Sequence, residues 1–240
     1  MIVTYIFHSC YVIELDGFSV VVDFYEDVPR EDGSFWIKDY LLSKKQPLYV
    51  LCTHSHADHF NPEILRWKAE NNAIEYIFSG EILESGKTKR DDAHYLNKLG
   101  VFEDERIKIQ NFGSTDLGGS FLITVGGKAI FHAGDLNNWH WKEEVHKEEA
   151  LVFENNYLCE LELLAENIAH IYLTMFPIDP RLGKDYMLGA EQFLDRISSD
   201  YFLPMHFGEH YHKANAFGEY AEKNNCTYLP VYHKGQSYQL

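Results

Sequence analysis

The segment Thr53-His54-Ser55-His56-Ala57-Asp58-His59 decides the reading of this chain. It follows directly on Leu48–Cys52 (LYVLC), a short continuous apolar run of the kind found in strands covered on both faces. The segment therefore leaves a strand end, where loops of α/β architectures hold their reactive groups. Three imidazoles and one carboxylate fall within its last six residues. His54 and His56, two apart in extended chain, turn their rings to one side and can share an ion. Asp58 and His59 follow where the chain turns toward a helix, and can reach a second ion. Nitrogen and oxygen donors of this kind suit a borderline divalent ion such as zinc.

Two later segments repeat the strand-to-loop pattern. Ile130–Asp135 (IFHAGD) ends in a Gly134 turn that presents Asp135, and a carboxylate can bridge two ions about 3.5–4 Å apart. Leu203–His206 (LPMH) ends another apolar strand at a histidine.

These three segments, in this order, resemble the metallo-β-lactamase superfamily. The matching residues are His54, His56, Asp58 and His59 of HxHxDH, then Gly134-Asp135, then His206. Phe7-His8-Ser9-Cys10, Val22-Asp23, Pro177-Ile178-Asp179, Met187 and Ala190 resemble one subgroup of it. That subgroup holds L-ascorbate-6-phosphate lactonase, N-acyl-phosphatidylethanolamine phospholipase D and many metal-dependent hydrolases. The resemblance spans nearly the whole chain and implies a single α+β domain over residues 1–240. Its fold would be a four-layer αββα sandwich of two mixed β-sheets flanked by helices. It further implies a two-metal site with His54 and His56 on one ion, Asp58, His59 and His206 on the other, and Asp135 bridging. In such enzymes a bridging hydroxide attacks a carbonyl or phosphorus. Asp58 can also orient the nucleophile or move protons, His8 lies near the site in the subgroup, and His210 is placed to protonate a leaving group. Ser55 stands where the redox di-iron relatives have a carboxylate, which favours hydrolysis.

One family residue is missing. The histidine that normally completes the first metal position should lie in the stretch Asn111-Phe112-Gly113-Ser114-Thr115-Asp116, which has none. Ser114 or Asp116 takes its place, and an Asp116 ligand would favour a harder ion such as manganese. The expectation is one tightly held ion and one loosely held. The metal is zinc first, with manganese or iron as alternatives. His94, the other histidine before the Gly126-Gly127 hairpin, falls on an expected helix. Asn138 and His140, shortly after Asp135, are candidates either to line a substrate pocket or to brace the ligand loop.

The remaining chain reads as alternating elements. Strands are expected at Thr4–Phe7, Tyr11–Leu15, Ser19–Phe24, Ile74–Ser79, Ser120–Val125, Lys128–His132, Ala150–Phe153, His170–Met175 and Tyr201–Met205. Helices are expected at Pro62–Asn71, capped by Asn61, at Asp91–Leu99 and at Gly189–Ile197.

Composition narrows the function. The chain has 240 residues and a formal charge of −16, from 37 Asp and Glu against 21 Lys and Arg. Nucleic acid and anionic membranes demand basic surfaces, so neither is expected as a partner. A small-molecule substrate is. The N-terminus lacks the basic region and cleavage site of a signal peptide, and the four dispersed cysteines read as reduced core thiols, both pointing to the cytoplasm. An aromatic share of 15% leaves room for a self-interface. The expected activity is metal-dependent hydrolysis of an ester, lactone, amide or phosphoester. The competing reading is a non-catalytic or single-metal relative that binds a metabolite, and a redox di-metal protein is a third.

Overall fold

The computed structural model describes residues Met1–Leu240. In chain order its strands are β1 (Ile2–Phe7), β2 (Cys10–Leu15), β3 (Phe18–Val22), β4 (Leu48–Cys52), β5 (Ile74–Ser79), β6 (His94–Leu96), β7 (Val101–Glu103), β8 (Lys108–Phe112), β9 (Ser120–Val125), β10 (Lys128–His132), β11 (His170–Pro177), β12 (Ser198–Met205), β13 (Thr227–Tyr228) and β14 (Ser237–Gln239). Its α-helices are α1 (Gly80–Glu84), α2 (Lys147–Asn167), α3 (Leu188–Arg196), α4 (Tyr211–Asn215) and α5 (Gly218–Lys223). The chain divides into two units, Met1–Asn97 with Tyr232–Leu240, and Lys98–Val231.

The first unit is a seven-stranded mixed sheet in the order β14-β1-β2-β3-β4-β5-β6. Strands β1, β2 and β3 form antiparallel hairpins, and β3, β4 and β5 run parallel. The central strand β4 is apolar and buried throughout, as a strand covered on both faces is. On one face Val12, Val21, Val50, Cys52 and Phe78 form a core with Ile64 and Trp67 of the turn at Pro62–Ala69. Asn61 caps that turn by accepting from Glu63 N, as expected, but the turn is 3-10 rather than α.

The second unit is also a seven-stranded mixed sheet, ordered β13-β12-β11-β10-β9-β8-β7. Strands β10, β11, β12 and β13 run parallel. The Gly126-Gly127 hairpin joins β9 to β10, with both glycines left-handed as a type I′ turn requires. Tyr157, Phe176 and Phe193 pack together beneath α2 and α3. No helix is long and apolar enough to cross a membrane.

Three local expectations are corrected. Ala150–Phe153 lies within the first two turns of α2, whose buried Ala150, Tyr157, Leu161 and Leu164 follow a helical period. Four apolar residues read alone look like a strand; the 21-residue span does not. Asp91–Leu99 is no helix: its middle is β6, with His94 paired to Ile77 and Tyr95 to Phe78, so edge pairing on β5 overrides local preference. Cys159 is exposed on α2, whereas Cys10, Cys52 and Cys226 are buried.

Candidate metal centre

In the first unit β1, β3 and β4 point the same way, so Phe7, Val22 and Cys52 end at one edge. There the chain bends sharply. His8 has φ 57° and Asp23 φ 51°, both left-handed, a conformation that strains a non-glycine residue by about 1–3 kcal/mol. Such strain persists where the surrounding structure needs the side chain in that place.

Asp23 is fully buried and organises the loop that follows β4. Its Oδ1 accepts the Thr53 backbone N–H at 2.7 Å. Its Oδ2 accepts the Thr53 hydroxyl and the His59 Nδ1–H, each at 2.7 Å. Thr53 has one hydroxyl proton, already given to Asp23. Its oxygen therefore accepts from His54 Nδ1 at 3.0 Å. One carboxylate thus sets the tautomer of two buried imidazoles, with protons on Nδ1 and lone pairs on Nε2. Histidines that hold metals are oriented in this way.

The donors are spaced for metal ions. Two ligands 2.0–2.1 Å from a tetrahedral ion lie about 3.3 Å apart. His54 Nε2 and His56 Nδ1 are 3.1 Å apart, with their rings at 82°. His8 Nε2 is 3.2 Å from Asp58 Oδ2, and His59 Nε2 is 4.0 Å from the same oxygen. Burial pushes the Asp58 carboxyl up, but the His8 hydrogen bond and the electrostatic pull of the neighbouring His59 and His8 rings outweigh it and hold it well below the usual carboxylate range. The loop is pinned from outside by Glu81, which accepts the Ser55 N–H at 2.8 Å and the Ser55 hydroxyl at 2.6 Å, while Lys87 Nζ donates to Ser55 O.

In the second unit the parallel strands β10, β11 and β12 bring Asp135, Asp179 and His206 to one edge. His206 is left-handed at φ 63°. Its Nδ1 donates to the buried Asp179 Oδ2 at 2.9 Å, and its Nε2 lies 3.3 Å from Asp135 Oδ1. This is the His59 arrangement again, with Nδ1 on a carboxylate and Nε2 toward a candidate ligand. Burial raises the Asp179 carboxyl, but hydrogen bonds from His206 and Arg181 outweigh it and lower it to about 2. The Asp135 loop is held by Trp139 Nε1, which donates to Asp135 O at 2.8 Å, and the Trp139 ring packs edge-on against His206.

His8, His54, His56, Asp58 and His59 therefore gather in one unit, and Asp135 and His206 meet in the other. Ser114 is half-buried and Asp116 exposed, with Asp116 N donating to Ser114 Oγ at 3.2 Å. His210 is exposed just before α4. Asn138 and His140 are both buried and hydrogen-bonded within the second unit. Asn138 Nδ2 donates to Gln192 Oε1 at 2.9 Å, and His140 Nε2 donates to Asp185 O at 3.2 Å. Burial lowers the His140 imidazole below its ordinary value, consistent with a neutral ring. The sequence reading did not assign roles to Asp23, Thr53, Glu81, Asp179 or Arg181. A lone acid just past a strand end, as in VVVD and FPID, was the available signal.

The model of the family described as "Beta-lactamase superfamily domain" matches residues 2–153. A UPF0173 metal-dependent hydrolase of Nanoarchaeum equitans is 26% identical over 223 residues, covering 86% of this chain and 84% of that protein. A second, of Symbiobacterium thermophilum, is 26% identical over 207 residues, covering 81% and 82%. Among solved structures, Igni18, a metallo hydrolase of Ignicoccus hospitalis, superposes with a TM-score of 0.67 at 19% identity and covers 100% of this chain and 98% of its own. The two mixed sheets with their helices are the α+β metallo-β-lactamase fold, and this chain belongs to the β-lactamase superfamily.

Proposed function

We propose that the protein is a metal-dependent hydrolase acting on a small-molecule ester, lactone, amide or phosphoester. The observation that carries this reading is the repeated pairing of a buried histidine with a buried carboxylate, His59 with Asp23 and His206 with Asp179, each leaving the Nε2 lone pair for a ligand bond. The family match and the names of the two curated relatives support it. The proposed ligands are His54, His56, Asp58 and His59 in the first unit and Asp135 and His206 in the second. All are imidazoles or carboxylates, the donor set that a divalent ion of zinc type takes.

A bound divalent ion supplies a Lewis acid and a water whose pKa falls toward about 7. The chain's own residues handle the protons and the substrate. Asp58, kept ionised by its imidazole neighbours and 38% exposed at its side chain, accepts the proton of the attacking water. His8, whose Nε2 lies 3.2 Å from Asp58 Oδ2, attends the same centre. His210, exposed four residues past His206, carries a proton to the leaving group. The formal charge of −16 turns away polyanions and leaves small substrates as the expected class.

Metal analysis after dialysis tests the centre, with one tightly held ion expected. A panel of lactones, esters, amides and phosphodiesters with added zinc or manganese tests the chemistry. Turnover abolished by Asp58→Asn and His59→Ala supports the hydrolase. Silence across the panel with metal bound favours the metabolite-binding alternative.

A further inference from the structure

The turn between β1 and β2 carries a residue in the wrong place for a turn. Phe7 pairs with Cys10, so His8 and Ser9 form a two-residue hairpin loop, and the register slips by one between Tyr5 and Phe7. Of the two loop residues only His8 is left-handed. That pattern matches a type II′ turn, whose first position is taken by glycine. A β-carbon there is strained, and the imidazole is mostly buried, its side chain 14% exposed at the sheet edge. The bulge and the strain aim the ring. Tyr25 packs edge-on against it from one side and His59 from another, at centroid separations of 6.2 Å and 5.9 Å. The result is that His8 Nε2 stands 3.2 Å from Asp58 Oδ2, and His8, Asp58 and His59 offer ligand atoms all within 4.8 Å of one another.

We infer that His8 is itself a metal ligand, binding through Nε2 the same ion as Asp58 and His59. The inference rests on the metal-centre reading above and changes its composition. One unit then supplies two imidazoles and a carboxylate to one position, from two loops separated by the whole of β2, β3 and β4. That position becomes the tight one, while His54 and His56, without the family's third histidine, hold the weaker. A ligand and a mere positioning residue differ in what Nε2 must do. To orient Asp58 it must carry a proton and donate; to bind a metal it must offer its lone pair.

Zinc affinity of the full chain, measured by competition with a chromophoric chelator, separates these roles. His8→Gly removes the ring and relieves the turn. The expected result is an unfolding midpoint of the metal-free protein that is unchanged or higher, with zinc bound at least ten-fold more weakly. His8→Asn tolerates the left-handed backbone and keeps a donor for Asp58, so it is expected to lose zinc as the glycine variant does. Wild-type zinc affinity in either variant overturns the inference; retention by His8→Asn alone makes His8 a positioning residue. Asp58→Asn and His59→Ala are measured alongside. If they lose zinc and the His8 variants do not, the centre stands and only the His8 assignment falls. If none loses zinc, both fall.

Discussion

Replacing Asp23 by asparagine tests whether one buried carboxylate sets the chemistry of the loop after β4. The change is nearly isosteric, and asparagine is among the residues best suited to φ 51°, so the backbone is not perturbed. Only the hydrogen bonds change. The amide oxygen can still accept the Thr53 N–H now held by Oδ1 at 2.7 Å. The amide nitrogen replaces Oδ2, which accepts from both the Thr53 hydroxyl and His59 Nδ1. Thr53 can rotate its hydroxyl and accept instead, but His59 would then face a donor with a donor. To avoid this clash His59 must move its proton to Nε2, the atom proposed to bind metal. Loss of a charge-assisted hydrogen bond weakens the site by about 1.5–3 kcal/mol, which corresponds to about 10–150-fold in metal affinity. The assay is zinc competition on the wild type and Asp23→Asn, with urea unfolding of the metal-free proteins as the control for folding. An unchanged zinc affinity in a folded Asp23→Asn protein would refute the argument that Asp23 fixes the His59 tautomer.

Three further outcomes follow from the structure. A thiol reagent should titrate one cysteine quickly in the native protein, because Cys159 is exposed and the other three are buried; Cys159→Ser should remove that fast phase, and two fast thiols would contradict the burial. Stability should fall as pH rises above about 8.5. Burial, aided by the Asp23 charge, pushes the thiols of Cys10 and Cys52 well above their ordinary value. The native state therefore keeps protons that the unfolded chain sheds, so their contribution is complete below the unfolded pKa and is lost above it. Urea midpoints from pH 8 to 10 should decline, less steeply in a Cys10→Ala, Cys52→Ala protein, and equal slopes would exclude these thiols as the cause. Gly119→Ala should destabilise by about 1–3 kcal/mol in urea unfolding. Its β-carbon would sit 2.5 Å from the carbonyl oxygen of Phe112, a backbone atom of the β8–β9 ladder that cannot move aside. An unaffected midpoint would show that the ladder yields there.

Much of this molecule was written locally. The run LYVLC followed by THSHADH declared a buried strand and its candidate metal-binding loop, because burial on two faces and donor spacing both act over a few residues. The hairpin at Gly126-Gly127, the Asn61 cap and helix α3 were legible for the same reason. Local reading failed where a partner decided the outcome. Residues 94–96 are a strand because β5 offers them an edge, and Ala150–Phe153 is helical because the span around it shares one buried stripe.

The sequence by itself determined the family and the identities of the strongest ligand candidates, since these depend on residue type and short spacing. Only the tertiary structure decided how the donors are held. His59 takes its orienting carboxylate from Asp23, 36 residues earlier, and His206 from Asp179, 27 residues earlier. Those pairs form because parallel strands deliver their C-terminal ends to a common edge, a consequence of strand order that no local window of sequence contains.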